Sequence, residues 1–319
     1  MRIIKTAAPM ILWLLALSVS ARAVSDRAID YLLKAAPRPA GMGGAFTAVA
    51  DDPIGMFWNP SAALRSDRFA ISGNHSLRHF PGKTKNLDQF NSDTTGIVIP
   101  LQGDLAAGLG FTIPGEWGVD YTDTNGVLPV NEKLMGRERR FAYSGMRDSE
   151  KIDAGYIDSD WRRYSDFEQG IKGKRSFETG GGFSFYYETN GGMSYGVNVR
   201  GLLTRLGGDK KNGDESCTVT LGAAYRPHWN AATLAATDVE LNWRHGFEAR
   251  FFGGVERSFD RRAFVRIGSM NGMTTYGFGG KFGSARFDYA VIKDFMPSVS
   301  GHDEVAQFQD GHFLSYTIR

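Results

Sequence analysis

The chain has 319 residues, 37 Lys and Arg against 35 Asp and Glu, and a formal net charge of +2, which gives no electrostatic case for nucleic acid as a partner. Its single cysteine, Cys217, excludes an intramolecular disulfide framework. Mean hydropathy is slightly negative, but this does not exclude a membrane protein, because a barrel hides only every second side chain in lipid.

In chain order, residues 1–23 are expected to form a cleaved export signal. Arg2 and Lys5 give a positive start, residues 10–17 a short apolar run, and Ala21-Arg22-Ala23 a small-residue cleavage site. The apolar run falls short of the roughly 20 residues of a spanning helix. Cys217 lies far from the cleavage point, which argues against a lipid-anchored lipoprotein.

Residues 24–66 form the next unit. Within it, Gly41-Met-Gly-Gly-Ala-Phe-Thr-Ala-Val-Ala-Asp-Asp-Pro-Ile-Gly-Met-Phe-Trp-Asn-Pro60 carries too much Gly and Pro for one stable helix. It reads as a compact irregular segment. With Met42, Phe46, Val49, Ile54, Met56, Phe57 and Trp58 so close together, it is expected to be buried against something larger.

From Phe69 onward, over a unit at 67–319, the period is two. Tyr195, Val197 and Val199 alternate with Ser194, Gly196, Asn198 and Arg200, and Val219, Leu221 and Ala223 alternate with Thr218, Thr220 and Gly222. Tyr276, Phe278, Phe287 and Tyr289 alternate likewise with Gly277, Gly279 and Asp288. Thr189-Asn-Gly-Gly192, Phe259-Asp-Arg-Arg262, Asn271-Gly272 and Gly283-Ser284 read as hairpin turns. The pattern predicts an all-β antiparallel meander of about 12–14 strands, closed because lipid cannot satisfy an open edge.

A soluble sandwich has the same period, with its polar face in water. The barrel is favoured because the polar faces place many glycines beside Arg200, Arg226, Glu256 and Arg266, as a crowded lumen requires. Tyr187, Tyr195, Tyr225, Tyr276 and Tyr289 are candidates for interfacial girdles. Residues 115–173 break the rhythm with dense charge and are expected to hold one or two strands and a large extracellular excursion.

No catalytic set emerges, and the chain is expected not to be an enzyme. Gly192-Met-Ser194-Tyr-Gly196 matches a nucleophile elbow in letters, but the alternation runs through Ser194 with no following helix, so the serine reads as lumen-facing. The six histidines show no metal spacing, and Gly277-Phe-Gly-Gly-Lys-Phe-Gly283 misses the dinucleotide fingerprint. Neither a metal nor a cofactor is expected. Asp51-Asp52 before Pro53 reads as a turn.

Gly41-Met-Gly-Gly44, Ala50-Asp-Asp52 and Asn59-Pro60-Ser61 resemble the N-terminal signature of FadL-type long-chain fatty acid transporters and PorV-like outer-membrane proteins. Ser61 stands where that signature has Ala, and the chain ends on Arg319 where barrel-insertion signals end on an aromatic. The resemblance implies an outer-membrane barrel of about 14 strands with residues 24–66 as a hatch in its lumen.

Two functions follow. In the first, small hydrophobic compounds pass a movable hatch. Gly41, Gly43, Gly44 and Pro60 shape it, and Phe46, Met56, Phe57 and Trp58 offer it an apolar surface. Asp51, Asp52 and Asn59 anchor it to lumen charges such as Arg200 or Arg226, beside Glu256 and Arg266. In the second, PorV-like, function the excursion at 115–173 docks a secreted protein.

Overall fold

The computed structural model describes residues 36–77, 92–101, 106–114, 119–120, 131–132, 135–147, 151–166, 171–200, 218–242, 247–293 and 311–319. The expected export signal lies outside the described residues. The described residues begin with three short turns of helix: α1 (Pro37–Gly41), a 3-10 turn (Pro53–Phe57) and α2 (Pro60–Ala63). Each starts on a proline, whose missing N–H would have had no intrahelical partner there. Asp52 caps the 3-10 turn and Asn59 caps α2 through their side chains.

Sixteen strands follow among the described residues: β1 (Ala70–Leu77), β2 (Ser92–Pro100), β3 (Ala106–Pro114), β4 (Val119–Asp120), β5 (Asn131–Glu132), β6 (Met135–Arg147), β7 (Lys151–Asp166), β8 (Ile171–Glu188), β9 (Met193–Arg200), β10 (Thr218–Tyr225), β11 (Thr233–Asn242), β12 (Glu248–Phe259), β13 (Ala263–Met270), β14 (Met273–Phe282), β15 (Ala285–Ile292) and β16 (Gly311–Ile318). All pairings are antiparallel. β1 pairs with β16 and with β2, and β7 pairs with both β6 and β8. Neighbour-to-neighbour pairing therefore runs round a ring, with the β4–β5 hairpin as a spur on β7. Sixteen strands less those two leave fourteen in the ring.

Side chains sort by parity, as expected, and the sense of the sorting excludes a sandwich. The buried face is polar: Ser194 and Asn198 on β9, Asp238 and Glu240 on β11, Arg250 and Glu256 on β12, Arg266 on β13. The exposed face is apolar, with Ile267, Phe278 and Leu314 each about half exposed. A soluble sandwich buries the opposite face.

Residues 36–64 fill the inside of the ring and are almost entirely buried. They touch strands from all round it because the facing wall is made of glycine. A Cβ added at Gly96 would overlap the Pro53 carbonyl, one at Gly196 the Thr47 carbonyl, and one at Gly254 the Met42 carbonyl. These glycines come as directly opposed pairs: Gly96 with Gly110, Gly196 with Gly222, Gly254 with Gly268.

The stretch 115–173 differs from expectation. Most of it is continuous ladder, in β6, β7 and the start of β8, the longest strands present. β8 pairs with β9 only from Phe183 to Glu188 but with β7 along nearly its whole length, so the three strands project past their neighbours. Backbone pairing sustains them without the two-faced alternation seen elsewhere, which is why their charge pattern reads as a loop.

Gly254→Ala is expected to unseat the segment at a cost of roughly 1–3 kcal/mol, as overpacking does. Gly253→Ala, where the nearest atom is Ala236 O at 3.9 Å, is the control. Limited proteolysis of residues 36–65 checks this, and equal resistance in the two variants would refute the glycine-wall account.

Candidate functional site

The segment divides the interior into two regions. Towards the end of the ring with short turns, such as 260–262 and 283–284, lies a charge network centred on Arg38. Towards the other end lies a cavity.

Arg38 sits on α1 and is 3 % exposed. Its Nε donates to Glu256 Oε2 at 3.1 Å, its Nη1 donates to Asp52 Oδ2 at 3.1 Å, and it also pairs with Asp51. Glu256 is shared with Arg266 at 2.7 Å, its in-register partner on β13, and with Arg286 at 3.2 Å. Arg266 then passes over Gly279 to reach Asp288 at 2.6 Å. A side chain at Gly279 would occupy that path.

Burial pushes the Asp51 and Asp52 carboxyls up, and the Arg38 guanidinium opposes it at both. At Asp51 the guanidinium wins and holds the carboxyl well below the usual range. At Asp52 it does not, and neighbouring Asp51 adds to the rise. The Asp51 backbone carbonyl also accepts a hydrogen bond from Arg319.

This network corrects the expected anchors. Asp51 and Asp52 pair with Arg38, not with Arg200 or Arg226. Asn59 caps Ala62 N and donates to the carbonyls of Thr47 (2.8 Å) and Phe185 (3.0 Å). Arg200 faces inward but pairs with Glu240. Arg226 lies beyond the end of β10 with an exposed side chain, outside the lumen set, because the strand has already turned at Pro227. Glu256 and Arg266 are buried among the groups that pair with Arg38.

Backbone contacts complete the seating. Asp238 Oδ2 accepts from Phe46 N (2.9 Å) and Thr47 N (2.8 Å). Gly43 N donates to Thr275 Oγ1 and Gly41 O accepts from it. Ser194 donates to Ala48 O at 2.8 Å, so the elbow-like serine is a strut for the segment. Ser61 Oγ lies 2.8 Å from Ser184 Oγ, a bond that Ala at that position would lack.

The cavity encloses about 520 Å³ including its open mouth. Gly44, Phe57 and Trp58 of the segment line it with Phe252 and Met270 of the wall, and so do Thr47, Asn198, Arg200, Asp238 and Arg250. Phe46 and Met56, expected to meet the solute, are fully buried and lie outside this lining. Phe46 packs edge-on to Trp58 at 5.9 Å and under Arg38, and Met56 fills the space over Gly108. Pro60 opens α2 beneath them.

Sequence reasoning missed Arg38, Asp238 and Arg250. Arg38 had a signal: it is the lone basic residue in 36–64, between two prolines and in the same segment as two adjacent aspartates. Asp238 and Arg250 had only their parity on β11 and β12.

Neither the family models nor the curated proteins match this chain. Solved structures do. The CymD monoaromatic hydrocarbon channel superposes with a TM-score of 0.64 at 12% identity, over 89% of this chain and 97% of its own. The fold is that of the FadL-type channels. The P. putida toluene transporter TodX gives 0.61 at 13% identity over 90% and 99%, and a Pseudomonas aeruginosa FadL homologue gives 0.53 at 12% over 88% and 97%.

Arg38→Ala would leave three carboxylates facing one another in a buried site, and loss of one partner of such a set costs roughly 3–5 kcal/mol. Arg38→Lys is expected to rescue little, since one ammonium cannot span Glu256 and Asp52 as the guanidinium fork does. Urea titration of segment release in detergent measures both, and wild-type midpoints for Arg38→Ala would contradict the assignment.

Proposed function

We propose that the chain is an outer-membrane β-barrel channel for small hydrophobic compounds, with residues 1–23 as its export signal and the internal segment as its hatch. The observation that carries this reading is the inverted sorting of side chains around a ring with no free edge: apolar outward, where lipid would lie, and polar inward, against a seated segment. Stacked Tyr187 and Tyr195, with Tyr225, fit an interfacial girdle at the short-turn end. The likeness to proteins described as hydrocarbon channels and a toluene transporter supports the choice of solute class.

Passage requires the segment to move, since it fills the bore. The apolar part of the cavity, with Phe57, Trp58, Phe252 and Met270, is where a solute would collect before that step. The alternative, a PorV-like docking component, would carry its partner site on 115–173.

Ser61 and Ser184 allow a direct test. In a Cys217→Ala background, Ser61→Cys with Ser184→Cys places two sulfurs close enough to bond. Oxidation is expected to abolish toluene uptake into proteoliposomes and reduction to restore it. Equal uptake in the two states would overturn hatch gating. Heat-modifiable migration of the outer-membrane fraction tests the architecture separately.

A further inference from the structure

The cavity wall carries a feature that a bare hydrocarbon does not use. Asp238 is 2 % exposed; its Oδ2 is saturated by two backbone N–H groups, whereas its Oδ1 has no hydrogen-bond partner. The hydroxyl of Thr47 stands beside the same carboxylate, and neither its Oγ1 nor Asp238 Oδ1 meets a partner at full hydrogen-bond distance and angle. Gly222 opposite leaves Oδ1 its space, since a Cβ there would crowd it. Both residues line the cavity, next to Phe57, Trp58 and Phe252.

A buried acceptor without a partner bears its full desolvation cost until a donor arrives. The other charges are already matched: Glu240 takes Arg200 and Arg250 at 3.2 Å each, and Arg250 also holds Glu248. The chemistry left open is therefore one acceptor and one hydroxyl at the edge of an aromatic floor. An anionic headgroup would face the Asp238 carboxylate and be repelled.

Resting on the channel reading above, we propose that this cavity selects monocyclic aromatics bearing a hydrogen-bond donor, of the phenol class. The ring lies against Phe57, Trp58 and Phe252, and the ligand hydroxyl donates to Asp238 Oδ1 while Thr47 Oγ1 donates to it. Gain of a hydrogen bond to a charged acceptor corresponds to roughly tenfold in affinity.

The test is equilibrium binding of p-cresol, p-xylene and p-toluate to the purified full-length protein in detergent. Wild type is expected to bind p-cresol roughly tenfold more tightly than p-xylene, with p-toluate weakest. Asp238→Asn keeps an oxygen for the Phe46 and Thr47 amides but offers a donor to the cavity, so the ratio of p-cresol to p-xylene affinity should collapse towards unity. Should that variant fail to fold, Thr47→Val supplies the second measurement: the same ratio should fall about threefold, as for loss of a neutral hydrogen bond. Equal affinities in wild type, or a ratio unchanged in both variants, overturn the inference and leave the channel reading standing. No binding of either neutral aromatic would instead count against the channel reading itself.

Discussion

Everything inside this molecule depends on bringing one stretch of main chain against another across the bore. The Thr47 carbonyl meets Gly196, the Pro53 carbonyl meets Gly96, and Met42 meets Gly254 and Gly268. A ring of this size holds too little side-chain volume to fill itself from its own wall, and the early segment occupies the remainder. Side chains on both partners would hold the two backbones apart. The wall therefore surrenders its side chains in opposed pairs, and the polar groups around those pairs satisfy the segment's amides and carbonyls.

The same arrangement explains why the two regions beside the segment differ. Towards the short turns, the guanidinium groups of Arg38, Arg266 and Arg286 interlock with four carboxylates, and Arg319 closes on the Asp51 carbonyl. Towards the other end, the wall adds Phe252 and Met270 to the Arg200–Glu240–Arg250 pairs, and space opens beside Trp58. A locked face and a receptive face thus lie on opposite sides of the same thirty or so residues.

Much of the fold was legible because parity is a strong signal. Tyr276 and Phe278 against Gly277 and Gly279 announced both a strand and its two environments, and the concentration of glycine on the polar parity announced a crowded interior. The N-terminal signature marked the segment. What escaped was pairing at a distance. Asp51 and Asp52 advertised a need for a cation, but strand parity points to lumen-side Arg200 or Arg226 and carries no mark of Arg38, thirteen residues upstream. An ion pair is set by where the chain folds back, and in 36–64 that path is fixed by contacts with strands far away in the sequence. Residues 115–173 escaped for a related reason: ladder hydrogen bonds leave no trace in side-chain polarity.

The spread of those wall contacts also orders events in time. Thr47 needs Gly196 and Gly222, Met42 needs Gly254 and Gly268, and Gly41 needs Gly277. Sequence separations of 150 to 240 residues make such contacts entropically late. The stretch that leaves the ribosome among the earliest is thus among the last to reach its final position, and until then its apolar side chains depend on other protection from self-association.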